Sequence, residues 1–311
     1  MKKQLFSGTG VALVTPFDQQ GQIDFAALEK LIEHTINGGV DFIVSLGTTG
    51  EAITLSTEET RTVLDFTIKA VNQRVPIVAG HFGGNNTQAL IQRIKEFDFD
   101  GVDGILSSSP AYNKPSQEGI FHHYMALANV TPKPIIIYNV PGRTASNISA
   151  ATLLRLAHES EMFAGVKDAS GDLIQGAQLI KYKPDHFLVL SGDDPSCLPL
   201  LSCGGDGVIS VISNAFPQAF SQMVKSALNG NFTEASRLHL ALLDIHPWLY
   251  INGNPSGIKA ALDILNITPK NVRIPLTALQ EQHYLSLKKE MDTVLNQLKK
   301  NKKITPVMNF E

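Results

Sequence analysis

The stretch FAGVKDASGD, residues 163–172, sets one lysine, Lys167, at the end of an apolar run. Apolar runs of this length with a β-branched member read as buried strands. Buried strands seldom keep an unpaired ammonium. In one reading Lys167 is ion-paired with Asp168 or Asp172. In the other, burial lowers its basicity. A neutral amine can then attack a ketone, form a Schiff base and use the iminium as an electron sink. Three further stretches offer matching chemistry. Gly47–Glu51, GTTGE, presents adjacent backbone N–H groups and two hydroxyls, which suits a small carboxylate, although an ordinary turn looks the same. Tyr138 closes an apolar strand and is either a satisfied core phenol or one turned to chemistry. Arg143 follows in a Pro-Gly turn and is either solvated or a bidentate carboxylate clamp.

The elements that must position these groups alternate along the chain. Short apolar runs at residues 11–14, 42–46, 77–79, 102–106, 135–138, 163–167, 187–190 and 207–211 read as eight strands. Between them lie segments of helical periodicity. Phe25, Leu28, Leu31, Ile32 and Thr35 share one face; Val63, Leu64, Ile68 and Val71 share another; Leu90, Ile91 and Ile94 mark a third. Asp24 reads as an N-cap, and Ser56 with Glu59 as a capping box. Strand–helix alternation implies parallel strands with helical crossovers. The expected fold is of the α/β class, a (β/α)8 TIM barrel with a C-terminal helical extension. A doubly wound open sheet would carry a Gly-rich fingerprint after its first strand, where TPFDQQG stands instead. The barrel is expected over residues 1–231 and a helical region packed on it over residues 232–311. The latter includes a helix over residues 279–298 opened by Thr277 and Gln280. Barrels of this kind carry chemistry at the C-terminal ends of their strands. GTTGE, SSSPAYNKP, YNVPGRT, Lys167 and SGDD all fall there. The convergence there of an interior lysine, a nearby phenol, an anion nest and an arginine favours the catalytic reading of Lys167 over the ion pair.

Composition narrows the classes. The chain has 311 residues, 43% of them hydrophobic and 18% charged, enough to bury a large core. A net charge of −3, with only the short basic stretch at residues 299–303, argues against nucleic-acid binding. No apolar run is long enough to span a bilayer. The opening MKKQLFSGTGVALVTPF is interrupted by Ser7, Gly8, Thr9 and Gly10 and does not read as a signal peptide. Cys197 and Cys203 are not at a metal-ligand spacing and read as small apolar fillers, not a disulfide.

In order, GTTGE, YNKPSQEG, YNVPGRT, GVKDASGD and GVISV resemble the motifs of the dihydrodipicolinate synthase (4-hydroxy-tetrahydrodipicolinate synthase) family. This family stands beside the N-acetylneuraminate lyases among class I aldolases. The likeness runs from Gly8 to at least Asn254-Pro255. It implies a cytoplasmic lyase of diaminopimelate and lysine biosynthesis that holds pyruvate as a Schiff base and condenses it with L-aspartate 4-semialdehyde. No metal or organic cofactor is implied. By this resemblance Lys167 is the Schiff-base lysine and Tyr138 the general acid/base, with Thr48 as its hydroxyl partner. Thr49 is the pyruvate-carboxylate site, and Tyr112 reaches across a tight dimer interface into the neighbouring subunit. Arg143 clamps the semialdehyde carboxylate and separates the synthases from the neuraminate lyases. The carbonyl of Ile209 lies near the lysine. The implied assembly is a homotetramer, a dimer of tight dimers.

Several positions depart from the family pattern. Ala111 stands where many members carry a second tyrosine. Ala52, Thr57 and Thr60 replace a helix segment that holds histidines in feedback-regulated members, and Ala89 replaces an acidic residue. Weak or absent inhibition by lysine is the expectation. Gly257 stands in NPSGIKAAL where a second proline is common, an expected change to a structural turn only.

Overall fold

The computed structural model describes residues 5–301. Residues 1–4, the end of the basic stretch at 299–303 and the last residues of the expected C-terminal region lie outside the described residues. Eight parallel strands close into one barrel in chain order. They are β1 (Gly8–Ala12), β2 (Phe42–Ser45), β3 (Ile77–Ala79), β4 (Gly104–Ser108), β5 (Ile135–Asn139), β6 (Phe163–Asp168), β7 (Leu188–Ser191) and β8 (Gly207–Ser210). All eight expected strands are present, but β1 begins three residues earlier and β4 two residues later than the apolar runs suggest. Glycine accounts for β1. Gly10 reads as a breaker, yet a Cβ there would sit 2.3 Å from the Phe42 ring, so only glycine leaves room for that ring inside the barrel.

Strand alternation sorts the apolar residues into two layers. Phe42, Val44, Ile136, Tyr138, Leu190 and Ile209 point inward with Phe6, forming the barrel's interior. Ile43, Ile135, Ile137, Val166 and Val189 point outward into a second cluster shared with the surrounding helices. Phe6 packs edge-on against Phe42 with centroids 5.8 Å apart. The inner residues fill the barrel, so only its strand ends are open to function.

The outer helices follow their sequence signals. Asp24 caps the helix Phe25–Asn37 by accepting from Ala27 N at 2.9 Å. Ser56 and Glu59 close a capping box on Thr57–Val71. After β8 come helices Pro217–Leu228, Phe232–Leu243, His246–Tyr250, Ser256–Ile264 and Glu281–Asn301. Their apolar residues, among them Leu238, Leu249, Ile258 and Met291, belong to the same outer cluster. The last helix starts at Glu281, two residues later than expected. Residues 265–280 form no helix, because Pro269 and Pro275 remove backbone donors and break the helical path. Cys197 is buried, but Cys203 is exposed and is not the core filler expected. No helix among the described residues is long and apolar enough to cross a membrane.

Gly165, two residues before Lys167, is pressed against the neighbouring strand, where a Cβ would lie 2.5 Å from the Leu188 carbonyl oxygen. Backbone cannot yield as a side chain can. Gly165→Ala should therefore destabilise the protein by about 1–3 kcal/mol, read as a lower urea midpoint. An unchanged midpoint would contradict this packing.

Candidate active site

β5 and β6 run side by side with Tyr138 in register with Lys167. Lys167 is 5% exposed, and its Nζ lies 4.5 Å from the centroid of the Tyr138 ring. Burial is the main reason its pKa falls to about 8; the charge of Asp194 pulls it up and that of Arg143 pushes it further down. At pH 8 about half of such amines are neutral, against roughly one in three hundred for an ordinary lysine. Gly192 keeps space for the lysine stem, since a Cβ there would lie 3.0 Å from Lys167 Cγ.

The ion-pair reading of Lys167 is not what the structure shows. Lys167 points into the barrel, so Asp168 points out. There its carboxylate accepts from Asn139 Nδ2, the Ser170 N–H and Gln175 Nε2, each at 3.0 Å. Asp172 caps the helix Leu173–Tyr182, accepting from Ile174 N and Gln175 N. Asp168 therefore fixes the outside of the strand end and does not tune the amine.

The carboxylate that does act on Lys167 is Asp194, which sequence reasoning passed over. It is 1% exposed. One carboxylate oxygen accepts from the N–H groups of Val211 and Ile212 at 3.0 and 2.8 Å. Burial raises its pKa to about 6, against the lowering effect of these bonds and of Ser210. Its only sequence signal is position, the second aspartate of SGDD just past an apolar strand.

The phenol of Tyr138 is pushed up by burial and drawn back by the charge of Arg143 and a hydrogen bond with Thr48. Thr48 and Thr49 sit in a turn flanked by two residues of positive φ, Leu46 at 61° and Glu51 at 53°. Such backbone persists only where its surroundings hold it. The side chain of Thr49 is held by Asn254, whose Nδ2 donates to its Oγ1 at 2.9 Å. The Thr48 and Thr49 N–H groups donate to no acceptor among the described residues. Gly80 lets this turn pack closely, because a Cβ there would lie 2.7 Å from Gly47 N.

Arg143 is exposed on the one-turn helix Pro141–Thr144, with its charge felt by both Lys167 and Tyr138. Thr48, Tyr138 and Arg143 line a cavity of about 1520 Å³. Lys167 is not in that lining; its amine lies against the tyrosine ring. Ile209 lies in β8, in the same inner cluster as Tyr138. The structure thus gathers Lys167, Tyr138, Thr48, Arg143 and Asp194, with Thr49 in the adjoining turn. Tyr112 is not gathered with them. It is 92% exposed, at φ 70°. Its loop is pinned by Tyr112 N donating to Thr144 O at 3.2 Å and by Asn85, which both donates to and accepts from Ala111.

A closed parallel barrel with a buried, weakly basic lysine against a phenol at its strand ends defines a class of enzyme that activates carbonyl compounds through an amine. Comparison with known proteins narrows the class. The chain belongs to the dihydrodipicolinate synthetase family, whose sequence model matches residues 5–294. It is 47% identical over 271 residues to the 4-hydroxy-tetrahydrodipicolinate synthase of Cytophaga hutchinsonii, across 87% of this chain and 91% of that one. Its likeness to the Flavobacterium psychrophilum enzyme of the same name is 44% over 297 residues, across 96% of this chain and 100% of that one. The solved structure of the 4-hydroxy-tetrahydrodipicolinate synthase from Methylacidiphilum fumariolicum matches with a TM-score of 0.91 at 41% identity, across 96% of this chain and 98% of that one.

Competitive acetylation read by mass spectrometry should give Lys167 a midpoint near pH 8. Asp194→Asn should lower that midpoint, because a nearby negative charge favours the ammonium. Asp168→Asn should leave it in place. A wild-type midpoint near that of surface lysines, or one indifferent to Asp194→Asn, would contradict this electrostatic account.

Proposed function

We propose that this chain condenses pyruvate with L-aspartate 4-semialdehyde to give 4-hydroxy-tetrahydrodipicolinate, a step of diaminopimelate and lysine biosynthesis. The observation that carries this reading is the buried Lys167 amine, lowered to about pH 8 and set against the Tyr138 ring. Membership of the family supports the choice of substrates.

Neutral Lys167 attacks the keto carbon of pyruvate. Tyr138, with Thr48 as its hydroxyl partner, carries protons to the departing oxygen, and water leaves as the iminium forms. The iminium draws electrons from the methyl carbon, which loses a proton to give an enamine. The enamine carbon adds to the aldehyde of the semialdehyde. The substrate's own amine then displaces Lys167 and closes the ring, so one water is lost per turnover and the lysine returns free. Thr49 and its N–H hold the pyruvate carboxylate, the Ile209 carbonyl lies beside the lysine, and Arg143 clamps the carboxylate of the semialdehyde. A sugar-acid lyase would share Lys167 and Tyr138. The exposed guanidinium of Arg143 at this mouth fits a second carboxylate better than a row of hydroxyls.

Assembly and regulation complete the reading. The chain is a cytoplasmic homotetramer, a dimer of tight dimers, in which the outward Tyr112 completes the proton relay of the neighbouring subunit. Ala52, Thr57, Thr60, Ala89 and Ala111 line the same cavity as Tyr138. At these positions it offers methyl and hydroxyl groups where charge or imidazole would hold an amino acid, so lysine inhibits weakly or not at all.

Borohydride reduction with pyruvate should leave an adduct on Lys167, and Lys167→Ala should abolish it. In a coupled assay, Tyr138→Phe should slow turnover by about 10²-fold or more, and Arg143→Ala should harm semialdehyde handling more than pyruvate binding. Lysine below millimolar concentration should leave the rate unchanged. Pyruvate bound without an adduct would favour a silent barrel, faster turnover of sugar acids would favour a lyase, and strong inhibition by lysine would remove the regulatory reading.

A further inference from the structure

The turn that carries Thr48 and Thr49 is held from the barrel by Thr15, whose Oγ1 donates to Gly50 O at 2.7 Å, and also from far along the chain. Its last residue, Glu51, has a positive φ and is 1% exposed. The carboxylate meets the ammonium of Lys259, which is 0% exposed and stands 208 residues further along the chain. Lys259 also donates to Asn271 O at 2.8 Å and lies over the Phe17 ring at 4.1 Å. The second oxygen of Glu51 accepts from Arg273 N at 3.0 Å. The other anchor is Asn254, whose donation to Thr49 Oγ1 spans 205 residues, and whose Oδ1 is buried with no partner among the described residues. Asn254 and Lys259 come from one short segment, the turn into the helix Ser256–Ile264 and that helix itself. One segment of the region after the barrel therefore grips the turn at two points.

We propose that Asn254 and Lys259 are positioning residues of the pyruvate-carboxylate site, holding Thr49 and the Thr48–Thr49 N–H groups in the shape that receives the carboxylate. This rests on the reading above that the Thr49 turn takes pyruvate. Neither residue touches the reacting atoms; both act through the turn. The turn follows β2, but the side chains of Thr49 and Glu51 are held from the C-terminal region. Loosening it should weaken capture of pyruvate more than handling of the second substrate, because after imine formation pyruvate is held covalently.

The test uses the full-length enzyme with Asn254→Ala and, separately, the paired replacement E51Q/K259M. The pair removes both buried charges at once, so neither is left uncompensated if the other goes. Expected in both variants is a drop of about tenfold in kcat/KM for pyruvate, of the size that small misplacements of a binding group produce. The value for semialdehyde should change less than about twofold on the same reasoning. The borohydride adduct on Lys167 should still form at saturating pyruvate. Unchanged pyruvate kinetics in well-folded variants would overturn the proposal. So would an equal fall for both substrates together with a lower melting temperature, which marks a merely structural role. Failure of the wild-type enzyme to form the adduct would instead overturn the functional reading.

Discussion

An ammonium inside a closed barrel has lost most of its water, and the strands around it offer only partial replacement. The architecture of the site follows from that constraint. Strand alternation turns Lys167 inward, in register with Tyr138 and Leu190 on the neighbouring strands. Phe6 and Phe42 fill the opposite part of the interior, and glycines at 10, 165 and 192 make room for what lies beside them. The lysine is left partly neutral near physiological pH, a condition for a nucleophilic amine. Asp194 limits the effect. Its charge keeps the shift moderate, so the amine remains able to accept a proton when it is released.

A second buried lysine in the same protein has quite different partners. Lys259 is as enclosed as Lys167, and burial lowers its pKa too, against the opposing effect of Glu51. Lys259 has a carboxylate in direct contact and a carbonyl to donate to. Lys167, among the described residues, has no carboxylate within ion-pair distance and lies against a phenol that hydrogen-bonds with Thr48. One amine spends its charge holding a loop in place. The other is left available at the strand ends. Breaking a buried pair such as Glu51–Lys259 on one side typically costs about 3–5 kcal/mol, so the loop it anchors is firmly placed.

Much of this was legible in the sequence because it is local. Short apolar runs located every strand, and Ser56, Glu59 and Asp24 announced their caps. Lys167, Tyr138 and GTTGE stood out because charged or polar groups at the ends of apolar strands are uncommon. The outward turn of Asp168 was implicit in the same alternation, since neighbours on a strand face opposite ways. The shift of β1 was not legible, because Gly8 and Gly10 read as breakers until Phe42 is seen to need the space. Nor were the partners of Thr49 and Glu51, which lie more than 200 residues away at Asn254 and Lys259. Asp194 was hidden for a different reason. It lies past the end of β7, and only the pairing of β6 with β7 brings it to bear on Lys167.

The central claim is that a dry strand-end site keeps one lysine nucleophilic and places a carboxylate-binding turn where pyruvate needs it. A crystal structure of the enzyme soaked with pyruvate tests this most directly. The account predicts density continuous from Lys167 Nζ to the former keto carbon, with the carboxylate seated on the Thr48–Thr49 turn. Pyruvate lying unbonded to Lys167, or bonded with its carboxylate directed to Arg143, would contradict it.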